Sequence, residues 1–444
     1  MDGSDRPLHA AEFRESMKMS WSVRFRLRQH AKASLWIVPL IGLALGAVFA
    51  EWTAGIDGAD LLPGDWRYSA TTASSVLSSV VGAMVALLGF VVTIGVLVIQ
   101  QATGTLSPRY MRLWYRDRLQ KAVLATFTGT FAYAFSLLRK IEPNSVPNLG
   151  VTLSGVAVSL SLLLLLIYLN RFTHNLRPVA IADIVGRLGQ KVMFHGTEHI
   201  RRTRAPAGAY PPSAAPVTHV RTGRGGVLQA FDVAGLIRSA ARHDCVFTLC
   251  HHIGDFVPPG ATLVEVHGTK QSPDPRHTAG HIALGTERTI EQDPAFALRI
   301  LVDIAIRALS PAVNDPTTAV QALNHIDTFL HAIGRAQLCN QYVLADAHGR
   351  PRLVIPGRNW DDYLQLGVTE IREYGATSLQ VCRRLRALLE DLLHTQPTDR
   401  LSAVHAELIL LDEAVQRNFT DPIRRAQAQT PDRQGIGSGR RSGT

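Results

Sequence analysis

Among 444 residues there are only four cysteines, Cys245, Cys250, Cys339 and Cys382, all in the second half and with no close C-x-x-C pair. A disulfide framework is therefore excluded, and the pattern reads as free thiols in a reducing compartment. No P-loop, G-x-G-x-x-G opening a helix, G-x-S-x-G elbow or kinase signature occurs. General motifs thus give an enzyme no support, although a family-specific site need not match one. Charged residues make up 18% of the chain, and much of the net charge of +10 lies beside apolar runs or in the tail. Anionic lipid headgroups, not nucleic acid, are the expected partner.

Charge is missing altogether from Ser74 to Gln101, 28 residues that suffice to cross a bilayer. Small or polar residues recur along it at Ser75, Ser79, Gly82, Ala86, Gly89, Thr93 and Gln100, a narrow seam on one helix face. Lipid gives such a seam nothing, whereas another helix can approach it closely, so this stretch is expected to be the core helix of a membrane bundle. Three further apolar runs complete four spans: Ala33 to Ala50, Ala122 to Leu138, and Leu149 to Leu169. The first is too long, and preceded by too long a polar segment, for a signal peptide. The third repeats the seam at Ala122, Ala125, Gly129, Ala132 and Ser136, with Phe127, Phe131 and Phe135 opposite. The two matched seams are expected to pack on each other or on copies of themselves, the second in a homo-oligomer.

Basic residues gather before the first span, in the loop after the second (Arg109, Arg112, Arg116, Arg118, Lys121), and after the fourth (Arg171, Arg177); the loop from Glu51 to Thr72 is acidic. The positive-inside rule then places both termini in the cytoplasm, leaving Arg139 and Lys140 outside as the exception. No acid, His or Arg lies within a span, which argues against a coupled pump.

Beyond the membrane block the expected divisions are a basic segment 1–32, spans within 33–170, a helical stalk 171–203, a Pro- and Ala-rich linker 204–225, a small β-rich domain 226–290, a helical part 291–429 and a disordered tail 430–444. The fold class is thus a four-span helical bundle with a cytoplasmic α+β region. Gly254 to Leu263, GDFVPPGATL, resembles the turn of barrel-sandwich carrier domains, so a barrel-like hairpin is expected there, without the lysine that would carry a prosthetic group. No cofactor is expected. Cys245, Cys250, His251 and His252 alternate across a strand, so they cannot converge on one metal.

Asp293-Pro294 and Asp315-Pro316 each read as a cap followed by a first-turn proline. The helix that the first pair opens is apolar except for Arg299, Asp303 and Arg307 at i, i+4 and i+8, and such a helix is buried. Two accounts of this charged line stay open. Either it is a ladder satisfied by its neighbours, or its guanidiniums, with Arg288 and the turn residues Ser310, Asn314, Asp315, Thr317 and Thr318 at a helix start, hold a small anionic ligand.

The string RTIEQDPAF…LVDIAIRALSPAVNDPTTAVQALNHID, from Arg288 to Asp327, resembles the central signature of the uncharacterised bacterial membrane proteins grouped as domain of unknown function 2254. QQATGTLSPRYMR, from Gln100 to Arg112, and FAYAFSLLR before the third loop extend the likeness from about Trp36 to Gly435. The resemblance implies class and four-span topology, and no activity. Three functional readings follow: an oligomeric channel or leak pathway with a ligand-binding cytoplasmic region, a membrane-anchored sensor or scaffold, and an unrecognised membrane enzyme.

Overall fold

The computed structural model describes residues 20–56, 67–105, 116–143, 145–175, 178–205, 218–268 and 273–437. Outside them lie the first 19 residues, the acids Asp57, Asp60 and Asp65, the Ser107-Pro108-Arg109 string with Arg112, Arg177, most of the Pro- and Ala-rich linker, and the last seven residues. The chain divides into two compact units, residues 30–180, and residues 1–29 with 181–444.

In the first unit, the end of α1 (Trp21–Ala33) precedes four helices: α2 (Ile37–Ile56), α3 (Ala70–Thr105), α4 (Arg118–Leu138) and α5 (Asn148–Asn175). All four are long and apolar enough to cross a membrane. The core helix is α4, not α3 as the uncharged stretch suggested: 44% of the apolar window of α4 is buried, against 22% for α3. Lack of charge marks lipid exposure as well as burial, so it cannot rank the helices of a bundle. Helices α2, α3 and α5 all pack on α4, whose Val123, Phe127, Thr130, Tyr133, Ala134 and Leu137 are buried. Three polar contacts inside the bundle run between helices, where lipid offers no water in their place. Thr128 donates to the Pro39 carbonyl at 2.8 Å, Thr53 meets the Tyr133 hydroxyl at 3.2 Å, and Thr130 meets Ser161 at 3.3 Å. At the far end, Lys140 pairs with Glu51.

In the second unit, α6 (Pro178–Thr203) packs on the helical part and is no free stalk. Gly189 permits this, since a Cβ there would come within 2.6 Å of the Ala297 side chain. The β-region contains β1 (Thr218–Arg221), β2 (Gly226–Phe231), α7 (Val233–Arg242), β3 (Val246–Leu249), β4 (Phe256–Val257), β5 (Thr262–His267), α8 (Pro275–Ala279) and β6 (Ile282–Gly285). Two later strands, β7 (Gln341–Ala345) and β8 (Pro351–Pro356), complete it, giving one sheet of order β1-β5-β3-β8-β7 and one of order β4-β2-β6.

The expected barrel-like hairpin is not formed, and no closed barrel occurs among the described residues. Strand β4 pairs with β2, whereas β5 pairs with β1 and β3, so the turn at Pro258 to Ala261 carries the chain from one sheet to the other. Two successive prolines remove the donors that would let β4 continue into a ladder with β5. Gly260 takes φ +79° there, a value that suits glycine. The β7–β8 hairpin lies within the span 291–429 expected to be helical, and it joins the sheet through a parallel pairing of β8 with β3 at Phe247 and Leu353. Phe247, Leu236, Val264, Ile282 and Leu353 share the resulting core.

The helical part comprises α9 (Pro294–Ala308), α10 (Pro316–Gly334), α11 (Trp360–Gly375), α12 (Leu379–Thr395), α13 (Leu401–Asn418) and α14 (Pro422–Ala428). The apolar α9 is buried as its composition requires, with Leu298, Ile300, Leu301 and Val302 sealed from solvent. The tail expected to be disordered from residue 430 is docked on α12 as far as Gly437. Arg433 holds both oxygens of Asp391, and Arg383 donates to the carbonyls of Gln427 and Gly435.

Candidate functional site

Asp293 caps α9 by accepting from the Phe296 amide at 3.1 Å, and Pro294 fits the first turn. One turn further, Arg299 donates from Nε to Asp303 at 2.8 Å and spreads its two Nη atoms over both oxygens of Glu370 on α11. Such a fork-on-carboxylate pair is among the stronger charged contacts. The hydrogen bond to Glu370 is the main reason the Arg299 guanidinium is held above its ordinary pKa. Arg288 likewise grips Asp293 from Nε and Nη2, at 3.1 and 2.8 Å, and lies over the Phe296 ring. Burial pushes the Asp293 pKa up while the Arg288 charge opposes it.

Arg288 stands at the start of α9 and the turn stands at its end, about 20 Å away by the helical rise. The structure thus brings Arg307 to the turn but not Arg288. Within the turn, Ser310 donates to the Arg307 carbonyl at 2.7 Å, and the amides of Val313 and Asn314 return to the Ser310 carbonyl. Asn314 takes φ +48°, which asparagine tolerates better than most residues. Asp315 caps α10, accepting from the amide and hydroxyl of Thr318 at 3.0 and 2.6 Å. A carboxylate already occupies the electropositive helix start. Thr317 is exposed and lies 3.5 Å from the Gln380 amide. An anion bound at Arg299 would have to displace both Asp303 and Glu370.

The membrane seams divide in a way that their matching spacing did not foretell. On α4, Ala125 and Gly129 face Gly42 and Gly46 of α2, where a Cβ on Gly46 would lie 2.1 Å from the Gly129 carbonyl oxygen. On α3, Ser75, Ser79, Gly82, Ala86, Gly89 and Thr93 are all exposed. Gly82 and Gly89 have open space where a Cβ would point, and Ser79 and Thr93 turn their hydroxyls back to carbonyls of their own helix. The buried face of α3 is instead Ala73, Leu77, Val80, Met84 and Val91. Beside the seam, a cleft of about 820 Å³ is lined by Thr71, Ser74, Ser75, Ser78, Ser79 and the loop at Glu142. The partner of α4 was legible in the sequence as the G-x-x-x-G of Gly42 and Gly46, a pattern that marks close helix pairs.

A second charged cluster, without a sequence signal, joins α10 to α12. Arg384, almost wholly buried, donates to Asn324 at 2.8 Å and to Asp327 at 2.6 Å. His331 stands 2.7 Å from the Asp327 carboxylate, with Asp391 facing it from α12. The hydrogen bond to Asp327 raises the His331 pKa against the effect of burial. Burial alone would raise that of Asp327, but His331 and Arg384 hold it below its ordinary value.

A raised imidazole contributes fully below its unfolded value, about 6.5, and loses its contribution as pH rises through the folded value. The depressed Asp327 contributes above its unfolded value, about 3.9, and loses its contribution as pH falls through the folded one. His331→Gln should therefore cost about 1 kcal/mol near pH 6 and much less near pH 9, read from melting temperatures across that range. An equal cost at both pH values would remove the ion pair from the account.

Cys250, His251 and His252 follow the end of β3 at Leu249, and so do not alternate along a strand as expected. His251 and His252 bond the carbonyls of Thr262 and Gly357, and Cys250 is exposed while Cys245 is buried.

Comparison with known proteins places these features in a family context. The uncharacterized proteins Rv1290c of Mycobacterium tuberculosis and Mb1321c of Mycobacterium bovis are each 29% identical to the chain over 433 residues, covering 91% of it and 80% of their own length. No solved structure matches. The predicted membrane protein family of domain of unknown function 2254 matches residues 32–391, four apolar helices and the ALSPAVNDPTTA turn included, and the chain belongs to that family.

Proposed function

We propose that this membrane protein works as a homo-oligomer in the bacterial inner membrane, with the seam of α3 at the contacts between copies and lining a channel or leak pathway. The observation that supports this reading is the exposure of Ser75, Ser79, Gly82, Ala86, Gly89 and Thr93 on one side of a bundle whose other small-residue seam is already used between α2 and α4. Hydroxyls and glycines gain nothing from lipid tails but allow close packing and a polar lining. The basic residues Lys32, Arg116, Arg118, Lys121 and Arg171 at one end, opposite Glu51 at the other, support a cytoplasmic soluble unit.

The test is one set of experiments on the full chain. In detergent the wild type should run as an oligomer and in liposomes it should pass ions, while Gly82→Leu should be folded, dissociated and silent. A C-terminal reporter should be active only in the cytoplasm. A wild-type monomer with no flux would instead leave a membrane-anchored sensor or scaffold.

A further inference from the structure

At the end of the four-helix unit where α1 gives way to α2, the described residues include the bases Lys32, Arg116, Arg118, Lys121 and Arg171 and the acid Asp117. Local bonds tie them to one place. Lys121, nearly buried, donates to the Lys32 carbonyl at 2.6 Å. Asp117 caps α4 through the Leu119 amide at 2.9 Å, and Arg171 of α5 reaches within 3.9 Å of the same carboxylate. One carboxylate that also caps a helix cannot balance Arg118, Lys121 and Arg171, so the end carries a positive field. Lys32, Arg118 and Arg171 are exposed within it.

A second observation points the same way. Ser34 and Gln120, 8% and 4% exposed, carry side-chain oxygens with no hydrogen-bond partner among the described residues. Ser34 lies two residues beyond Lys32, and Gln120 lies beside Lys121. Buried polar atoms normally have partners. Trp36, 59% exposed at the start of α2, is the residue type that settles at the headgroup level of a bilayer.

We propose that this end is a binding site for an anionic glycerophospholipid of the phosphatidylglycerol class. The guanidiniums of Arg118 and Arg171 take the phosphate, whose planar oxygen pairs suit their forked donors. The headgroup hydroxyls satisfy Ser34 and Gln120: the Gln120 side-chain carbonyl oxygen accepts from one, and the Ser34 hydroxyl donates to another. Lys32 and Lys121 add field, and Trp36 fixes the depth. This site is independent of the oligomer reading, since it uses one chain and none of the exposed α3 seam.

The experiment uses the full chain in nanodiscs whose phosphatidylglycerol fraction is varied against phosphatidylcholine, with the melting temperature as readout. The wild type is expected to melt higher as that fraction rises. In Arg118→Gln/Arg171→Gln the fraction giving half the effect should rise about fivefold for each side chain removed, the weight of one basic residue near an anionic surface. Arg139→Gln, at the opposite end, should respond as wild type does. If the double variant does not fold, Arg118→Gln alone, an exposed position, carries the test. A wild-type melting temperature indifferent to phosphatidylglycerol overturns the proposal, as does an undiminished response in the variants. An equal rise produced by glycerol 3-phosphate in pure phosphatidylcholine assigns the site to a soluble anion and rejects the lipid.

Discussion

Leucine at position 46 should take apart the four-helix unit, at a cost of about 3 kcal/mol, the upper part of the range for overpacking. A Cβ on Gly46 would sit 2.1 Å from the Gly129 carbonyl oxygen, and one on Gly42 2.3 Å from that of Ala125. Those are backbone atoms in the middle of α4, which cannot rotate aside as a side chain can. Helix α2 must therefore move bodily away. It has little else to hold it, because only 11% of its apolar window is buried. Moving it also breaks the Thr128 bond to Pro39 and the Thr53 contact with Tyr133. Thermal melts of the detergent-solubilised variants read the effect, with Gly46→Ala intermediate. Gly82→Leu is the control, since its side chain enters open space and should leave the fold of the single chain intact. A wild-type melt for Gly46→Leu would show that the α2–α4 contact does not hold the bundle.

The contrast between those two glycines marks how far local sequence carries. Span length and composition are local properties, and the four helices follow from them. Helix starts are local too: Asp293-Pro294 and Asp315-Pro316 act as caps within three residues of where they are written. Which small-residue face finds a partner is not local. The seams of α3 and α4 share a spacing, yet only that of α4 meets a G-x-x-x-G within the same chain.

The sheets show the same limit. Strands β2, β3 and β5 and helix α7 follow from alternation and turn residues, but β8 pairs with β3 across about a hundred residues, and no short pattern specifies that choice. The turn at Gly260 was recognisable from Pro-Pro-Gly, while its role in joining two sheets depended on strands elsewhere. In the charged line, the spacing of Arg299 and Asp303 predicts their bond. Glu370, which claims the rest of the Arg299 guanidinium, lies 71 residues further on. Its helix was legible; its partner was not.

Arg299→Met should therefore destabilise the full chain by roughly 2 kcal/mol, and no anionic ligand should offset the loss. Removing the guanidinium leaves Asp303, whose side chain is 11% exposed, without the donor 2.8 Å away. Taking one partner from a buried carboxylate is costly, with about 3–5 kcal/mol typical of fully buried pairs. The smaller figure applies because Arg299 itself is 23% exposed and Glu370 45% exposed. A double-mutant cycle with Glu370→Gln isolates the pair, and a positive coupling between the two positions is expected.

Arg307→Gln separates the two readings of the line. If the charges serve one another and the fold, the variant loses stability, and phosphate-bearing metabolites shift neither its melting temperature nor that of the wild type. If they form an anion pocket, such metabolites raise the wild-type melting temperature by mass action and leave a folded Arg307→Gln unmoved. The bonds of Arg299 to Asp303 and Glu370, and of Asp315 to the start of α10, favour the first outcome. A ligand-dependent rise in wild type that vanishes in Arg307→Gln would reverse it, and would make the turn from Ser310 to Thr318 the sensing end of the soluble unit.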